Sequence, residues 1–305
     1  MARPFNALLA AMLIALIAST GFAADKIKVL IVDGVNNHNW AATTKATKAT
    51  LDQTGRFATS VSTSPSKKAS KEEWAAWQPK FSDYAVVVSN FNDGGRTLWS
   101  EATRAAFEGF VSGGGGFVAV HAADNSSTDW KAYNEMIAVG GWGGRKAGLS
   151  GELLRMVDGK WAACCSKEGG SGGHGPQREF LVVHDKPEHP ILAGLPKTWM
   201  HAKDELYHSL RGPARNVEVL AHAVSAKTKV EEPMVMLITH GKGKVLHLPL
   251  GHYNKVACEC VGFQTVFARG TEFVATGAVT IGIPENFPGT EKPVVVQPAE
   301  LIWPN

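Results

Sequence analysis

Histidine is the side chain best suited to moving protons near neutral pH, and this chain carries 11 of them. His121 follows the apolar run Phe117-Val-Ala-Val120 and precedes Ala122 and Ala123, behind the glycines 113–116. Small residues after a strand permit a tight turn that lifts the preceding side chain to the edge of a sheet. That is the geometry of a nucleophile elbow, here with His121 in the elbow position. His252 closes the segment Gly241-Lys-Gly-Lys-Val-Leu-His-Leu-Pro-Leu-Gly-His252, and His38 stands in the polar loop Asp33–Trp40. Asp204-Glu205-Leu-Tyr207-His208 places two carboxyls and a phenol in one short stretch.

These residue types suit general acid–base chemistry. His121 or His252 would be the base, Glu205 or Asp204 would orient it or act as acid, and Tyr207 would hydrogen-bond a developing oxyanion. Asp204 and Glu205 are adjacent, so in an extended segment they point apart and only one faces a crevice; Tyr207 shares the side of Glu205. Imidazole with carboxylate also suits zinc or a similar divalent metal, which gives His38, His121, His252 and Glu205 as a possible ligand set. The structural alternative for His121 and His252 is bonding of loop amides, and His189 before Pro190 reads as a turn residue. Trp40 and Trp130 are either platforms for the apolar face of a sugar or core side chains. With His38 and Asp124, in the loop His121–Asp129, they complete the candidate substrate-binding set.

Elements that alternate along the first half must position these groups. Ile27–Val32, Phe57–Ser62, Tyr84–Val88 and Phe117–Val120 read as buried strands. Ala41–Gln53 and Thr97–Ser112 read as helices, and a capping box at Ser70–Glu73 opens a third, predicted to run to Phe81. The pattern predicts an α/β fold with a doubly wound, mostly parallel sheet, whose ligand crevice lies outside the carboxyl ends of the strands. Phe180–Val183, Val217–Ala223, Met234–Thr239 and Val245–Pro249 add strands, and Phe263–Ala275 reads as a closing helix. The glycine-rich stretch Gly140–Pro176 reads as an insertion over the crevice or as a surface excursion without a role.

Taken in order, the strand–glycine loop with its His/Trp pair, the GGG-x-V-x-x-HAA run, HPI-x-x-GLP, DELY and the GKG-x-V segment ending in GH make the chain similar to the ThuA-like family. That family is a branch of the class I glutamine amidotransferase-like superfamily. The resemblance spans roughly Ile27–Gly277 and implies a flavodoxin-like fold. It also implies a role in the use of trehalose or related disaccharides, with a small-molecule carbohydrate, such as an oxidised (3-keto) glycoside, as partner. Amidotransferases of this fold carry a cysteine at the elbow, where a thiolate attacks an amide carbon. With His121 there, cysteine-dependent glutamine hydrolysis is excluded. A non-catalytic carbohydrate-binding or partner protein on the same fold is the alternative.

The start of the chain addresses its compartment. Arg3, the apolar run Ala7–Ala18 and small residues at Gly21 and Ala23 have the order of a cleavable signal peptide over residues 1–23. The run is about 12 residues, short of the roughly 20 needed to span a bilayer. The expectation is a periplasmic or secreted chain with one ThuA-like domain over 24–277 and a proline-rich tail over 278–305. A net charge of +3 without basic runs leaves nucleic-acid binding unsupported. Of the four cysteines, Cys164–Cys165 and Cys258–Cys260 form two close pairs lacking the C-x₂-C spacing of common zinc sites. Neighbouring cysteines bridge only under strain, so export predicts a disulfide between the pairs.

Overall fold

The computed structural model describes residues 25–253 and 255–304. The leader expected at residues 1–23 lies outside these, and no helix among the described residues is long and apolar enough to cross a membrane. The first half alternates as its hydrophobic pattern demands: β1 (Ile27–Asp33), α1 (Trp40–Gln53), β2 (Phe57–Thr63), α2 (Lys71–Ala76), β3 (Val86–Ser89), α3 (Glu101–Ser112), β4 (Gly116–Val120) and α4 (Lys131–Ile137). A hairpin of β5 (Glu152–Val157) and β6 (Lys160–Cys164) and the short β7 (Gly173–His174) occupy the glycine-rich insertion. There follow β8 (Arg178–His184), β9 (Thr198–Asp204), β10 (Tyr207–His208), β11 (Arg211–Gly212), β12 (Val217–Val224), β13 (Glu231–His240) and β14 (Gly243–Leu248). The helices α5 (Val256–Glu259) and α6 (Val261–Thr276) come next.

The main sheet has nine strands in the order β2-β1-β3-β4-β14-β13-β12-β8-β9. Its first five strands are mutually parallel, and every pairing from β14 to β9 is antiparallel. The fold is α/β, but the sheet is mixed. The reason lies in the connections: Gly241 and Lys242 alone join β13 to β14, and so short a link allows only an antiparallel partner. Both faces are covered. On one, Leu51 of α1 and Phe263, Val266 and Phe267 of α6 meet Val29, Ile31, Val118 and Val120. On the other, Phe107 and Val111 of α3 and Met136 and Ile137 of α4 meet Leu30, Val32, Val87 and Phe117. Strand residues that alternate between two buried faces explain the nearly continuous apolar runs.

The capping box forms as read, with Glu73 N donating to Ser70 Oγ and Ser70 N to Glu73 Oε2. The helix it opens stops at Ala76 rather than Phe81. Pro79 cannot continue a helix and disfavours helical backbone at the residue before it. The expected bridge between the cysteine pairs does not form. Cys164 and Cys165 are bonded to each other, and Cys258 and Cys260 are buried thiols. The pairs are kept apart by the sheet itself: the β5–β6 hairpin packs Leu154 and Trp161 into one apolar layer, whereas Cys260 belongs to the opposite one. The tail runs as extended chain against the α5–α6 corner, where Val261 N donates to Val294 O and Val296 N to Glu259 O.

Candidate active site

The site stands at one edge of the main sheet. Parallel β1, β4 and β14 end at that edge, and the alternating antiparallel pairings return β9 to the same direction. His38 follows β1, His121 follows β4, Glu205 follows β9 and His252 follows β14. One ligand atom from each of these four residues lies within 4.8 Å of every other. The rings of His121 and His252 are 5.3 Å apart, those of His38 and His121 5.1 Å, and those of His38 and His252 4.5 Å. Glu205 reaches two of them, with Oε2 3.6 Å from His121 Nε2 and Oε1 3.5 Å from His252 Nε2.

Local backbone explains how His121 gets there. Its φ is +46°, in the left-handed region that a non-glycine residue enters at a cost of roughly 1–3 kcal/mol. The elbow turns the side chain off the strand end, and its Nδ1 donates to Pro249 O at 2.8 Å. That bond leaves Nε2 facing Glu205, buried and without a hydrogen-bond partner among the described residues.

Asp204 takes the other side, as adjacent residues of an extended segment must. It is fully buried and does not line the cavity. Its carboxylate accepts from Glu205 N (2.7 Å), Gly251 N (2.8 Å) and His252 N (3.2 Å), and it pairs with His201 Nε2 (2.7 Å). It is a positioning residue that ties the Glu205 and His252 segments together.

Electrostatics divide the cluster. Burial, reinforced by the neighbouring imidazoles of His121 and His252, pushes His38 down to about 4. Burial and then His121 lower His252. Burial alone would lower His121 too, but the carboxylates of Glu205 and Asp204 outweigh it and raise it. Burial opposes ionisation of Glu205, yet His121 prevails and holds the carboxyl at about 2. At neutral pH the site therefore holds a carboxylate beside one protonatable imidazole and two neutral imidazoles.

Above the cluster is a cavity of about 290 Å³, lined by His38, Glu205 and Tyr207 together with the amides of Asn36, Asn37, Asn92 and Asn125. Tyr207 packs its ring on His121, with centroids 4.2 Å apart. The glycine-rich insertion forms part of the wall through Trp142 and His174. His174 Nε2 is 3.8 Å from Glu205 Oε2, and the Trp142 ring is 4.6 Å from that of Tyr207. Gln177 donates to Glu205 Oε1 at 3.3 Å and lies 3.4 Å from His252 Nδ1.

Three expected binding residues are elsewhere. Asp124 is fully buried, 3.1 Å from His247 Nε2. Trp130 is 3% exposed in an aromatic cluster with Trp99, Phe107 and Tyr133, and its indole N–H donates to Glu108. Trp40 opens α1, where its carbonyl accepts from Asn90, and it does not line the cavity. Large aromatics near a strand end fill a core as readily as a pocket, so their spacing could not separate the two. Trp142 and His174 gave no signal because the insertion has no periodicity, and Gln177 directly follows it. The loop amides near Asn36 and Asn92 were visible only as polarity.

The trehalose-utilisation family model, ThuA, matches residues 28–274 of this chain. A crystal structure of a ThuA-like protein from Parabacteroides merdae is 36% identical and superposes with a TM-score of 0.84, covering 90% of this chain and 99% of that one. A ThuA-like protein from Bacteroides uniformis, 19% identical, superposes with a TM-score of 0.55 over 86% of this chain and 96% of that one. No curated protein matches the sequence.

Proposed function

Because the chain belongs to the ThuA family, the proteins of trehalose utilisation, we propose that its cavity receives a carbohydrate and that the protein is an exported enzyme acting on an oxidised or otherwise modified glycoside. The observation that carries this reading is the convergence of His38, His121, His252 and Glu205 beneath an amide-lined cavity. Side-chain amides donate and accept at once, which suits sugar hydroxyls. A cavity of about 290 Å³ is at the lower end of small-molecule sites, near 300–1,000 Å³.

The reaction that suits these groups is proton abstraction beside the carbonyl of a keto sugar. The C–H bond breaks, its electron pair forms the carbon–carbon double bond of an enolate, and the carbonyl oxygen takes the negative charge. The imidazole–carboxylate cluster supplies the base and the charge stabilisation, and the Tyr207 ring holds the His121 imidazole from the cavity side. Export is supported by the charged, apolar and small-residue succession before Ala24.

Exchange of sugar protons in D₂O, followed by NMR on a panel of 3-keto and unmodified disaccharides, tests the reading. Exchange with a keto glycoside, abolished by Glu205→Gln in protein of unchanged melting temperature, is the expected result. Binding of the sugars without exchange would leave a carbohydrate-binding protein instead. An intact mass of the secreted protein beginning near Ala24 is expected, and retained Met1 would contradict export.

A further inference from the structure

We propose that His38, His121, His252 and Glu205 form a binding site for one first-row divalent metal ion, with zinc as the first candidate. The inference deepens the proposed function and rests on it only for what the ion acts upon.

The donor set is the first reason. Three imidazoles and one carboxylate are the ligands that zinc and its first-row neighbours take. The distances fit as well. Zinc holds nitrogen at about 2.0–2.1 Å, which sets its ligands roughly 3.4 Å apart in a tetrahedron. Glu205 already stands 3.6 Å from His121 and 3.5 Å from His252, and the widest separation in the set is 4.8 Å. Small side-chain rotations close the remainder.

The second reason is the unpaired nitrogen. A buried polar atom without a hydrogen bond is costly, and His121 Nε2 has none, facing the Glu205 carboxylate at 3.6 Å. Its ring is held in the orientation found at metal sites. Nδ1 donates to the carbonyl of Pro249, which leaves the Nε2 lone pair for an ion once its proton is displaced. The elbow at His121, with φ +46°, aims that nitrogen at the other three ligands. His252 has an outer partner as well, since Gln177 lies 3.4 Å from its Nδ1 and an amide can turn either its oxygen or its nitrogen to the ring. Asp204 anchors the backbone of Glu205 and His252 without facing the cluster.

A third observation separates ligands from other cavity groups. His174 is outside the four-residue set, its Nδ1 is 2.8 Å from Gly175 O, and it lines the cavity. Ligation would take up the lone pairs of the cluster, so an ion that expands its coordination to accept a substrate carbonyl would polarise that carbonyl, and the base of the proposed reaction would pass to His174, which lines the cavity beside Glu205.

The test is metal content and affinity of the purified full-length protein, stripped with a chelator and reloaded with zinc chloride, then separately with manganese chloride. Wild type is expected to retain about one equivalent of one of these ions after gel filtration and to melt several degrees higher with it. His121→Ala and Glu205→Gln should bind roughly 100-fold more weakly or not at all, whereas His174→Ala should load normally and lose turnover. Where His121→Ala fails to fold, the near-isosteric Glu205→Gln decides. Absence of either ion from folded wild type, or equal loading of Glu205→Gln, overturns the proposal. Loss of sugar exchange in Glu205→Gln with no metal in wild type would leave the proposed function standing without the ion. Stoichiometric metal with no exchange of any sugar would do the reverse.

Discussion

Replacement of Asp204 by asparagine probes the joint that holds the two halves of the site. The carboxylate is fully buried and has four partners at 2.7–3.2 Å: His201 Nε2, Glu205 N, Gly251 N and His252 N. Asparagine keeps the shape and one oxygen, which can still accept from Glu205 N and His252 N. Its NH₂ then faces Gly251 N at the former 2.8 Å contact, donor against donor, and the charge that pairs with His201 is gone. A buried donor left unsatisfied costs about 1–3 kcal/mol, and breaking one side of a buried ion pair costs about 3–5 kcal/mol. The two overlap here, so about 3–5 kcal/mol in all is expected. At 2–4 °C per kcal/mol for a domain of this size, the melting temperature should fall by about 10 °C. Differential scanning calorimetry at pH 7 measures it, and metal loading measures the second consequence, looser placement of Glu205 and His252. A fall of less than about 2 °C would refute the view that Asp204 clamps these segments.

Acid should destabilise the protein through His184, which is 2% exposed, accepts from the Trp199 indole at 3.1 Å and is held by burial at about 4. Its folded-state value lies below the unfolded one, so its full contribution is present above pH 6.5 and is lost as pH falls from 6.5 towards 4. The loss is up to about 3 kcal/mol, and His184→Gln should flatten that part of a melting curve series. Thiol titration of the denatured, unreduced chain should find two free thiols, Cys258 and Cys260, and peptide mapping should place the disulfide within the Cys164–Cys165 peptide; four thiols, or a bridge between the pairs, would contradict this. Gly251→Ala should cost about 2 kcal/mol or more and weaken metal loading, because Gly251 has φ +97° and a Cβ would lie 2.7 Å from the Phe263 ring. A melting temperature equal to wild type would show that the segment before His252 is freer than it looks.

Much of the fold was legible because its elements are local. The continuous apolar runs of β1, β3 and β4 follow from burial on both faces, the helices α1 and α3 open on the capping side chains of Asn39 and Ser100, and α6 ends at Gly277. The β9 strand, Thr198–Asp204, was missed because Thr-Trp-Met-His-Ala-Lys-Asp has no clean alternation, even though it carries the approach to Glu205. The hairpin β5–β6 hid for the same reason within its glycine-rich surroundings.

Local pattern along the chain specifies the alternating α/β half, the elbow at His121, and the rule that only one of Asp204 and Glu205 enters a crevice. Each of these depends on neighbours a few residues away: hydrophobic period, small residues after a strand, and the alternation of side chains along extended chain. Long-range packing is what brings His38, His121, Glu205 and His252 to one point, sends Asp124 and Trp130 to the interior, and sets the hairpin that carries Cys164 in a different apolar layer from Cys260. Those facts depend on which strand ends lie side by side, and that is set by the order β2-β1-β3-β4-β14-β13-β12-β8-β9. Strand order is a choice among long-range pairings, each stabilised by the same kinds of apolar contact, so no short stretch of residues records it.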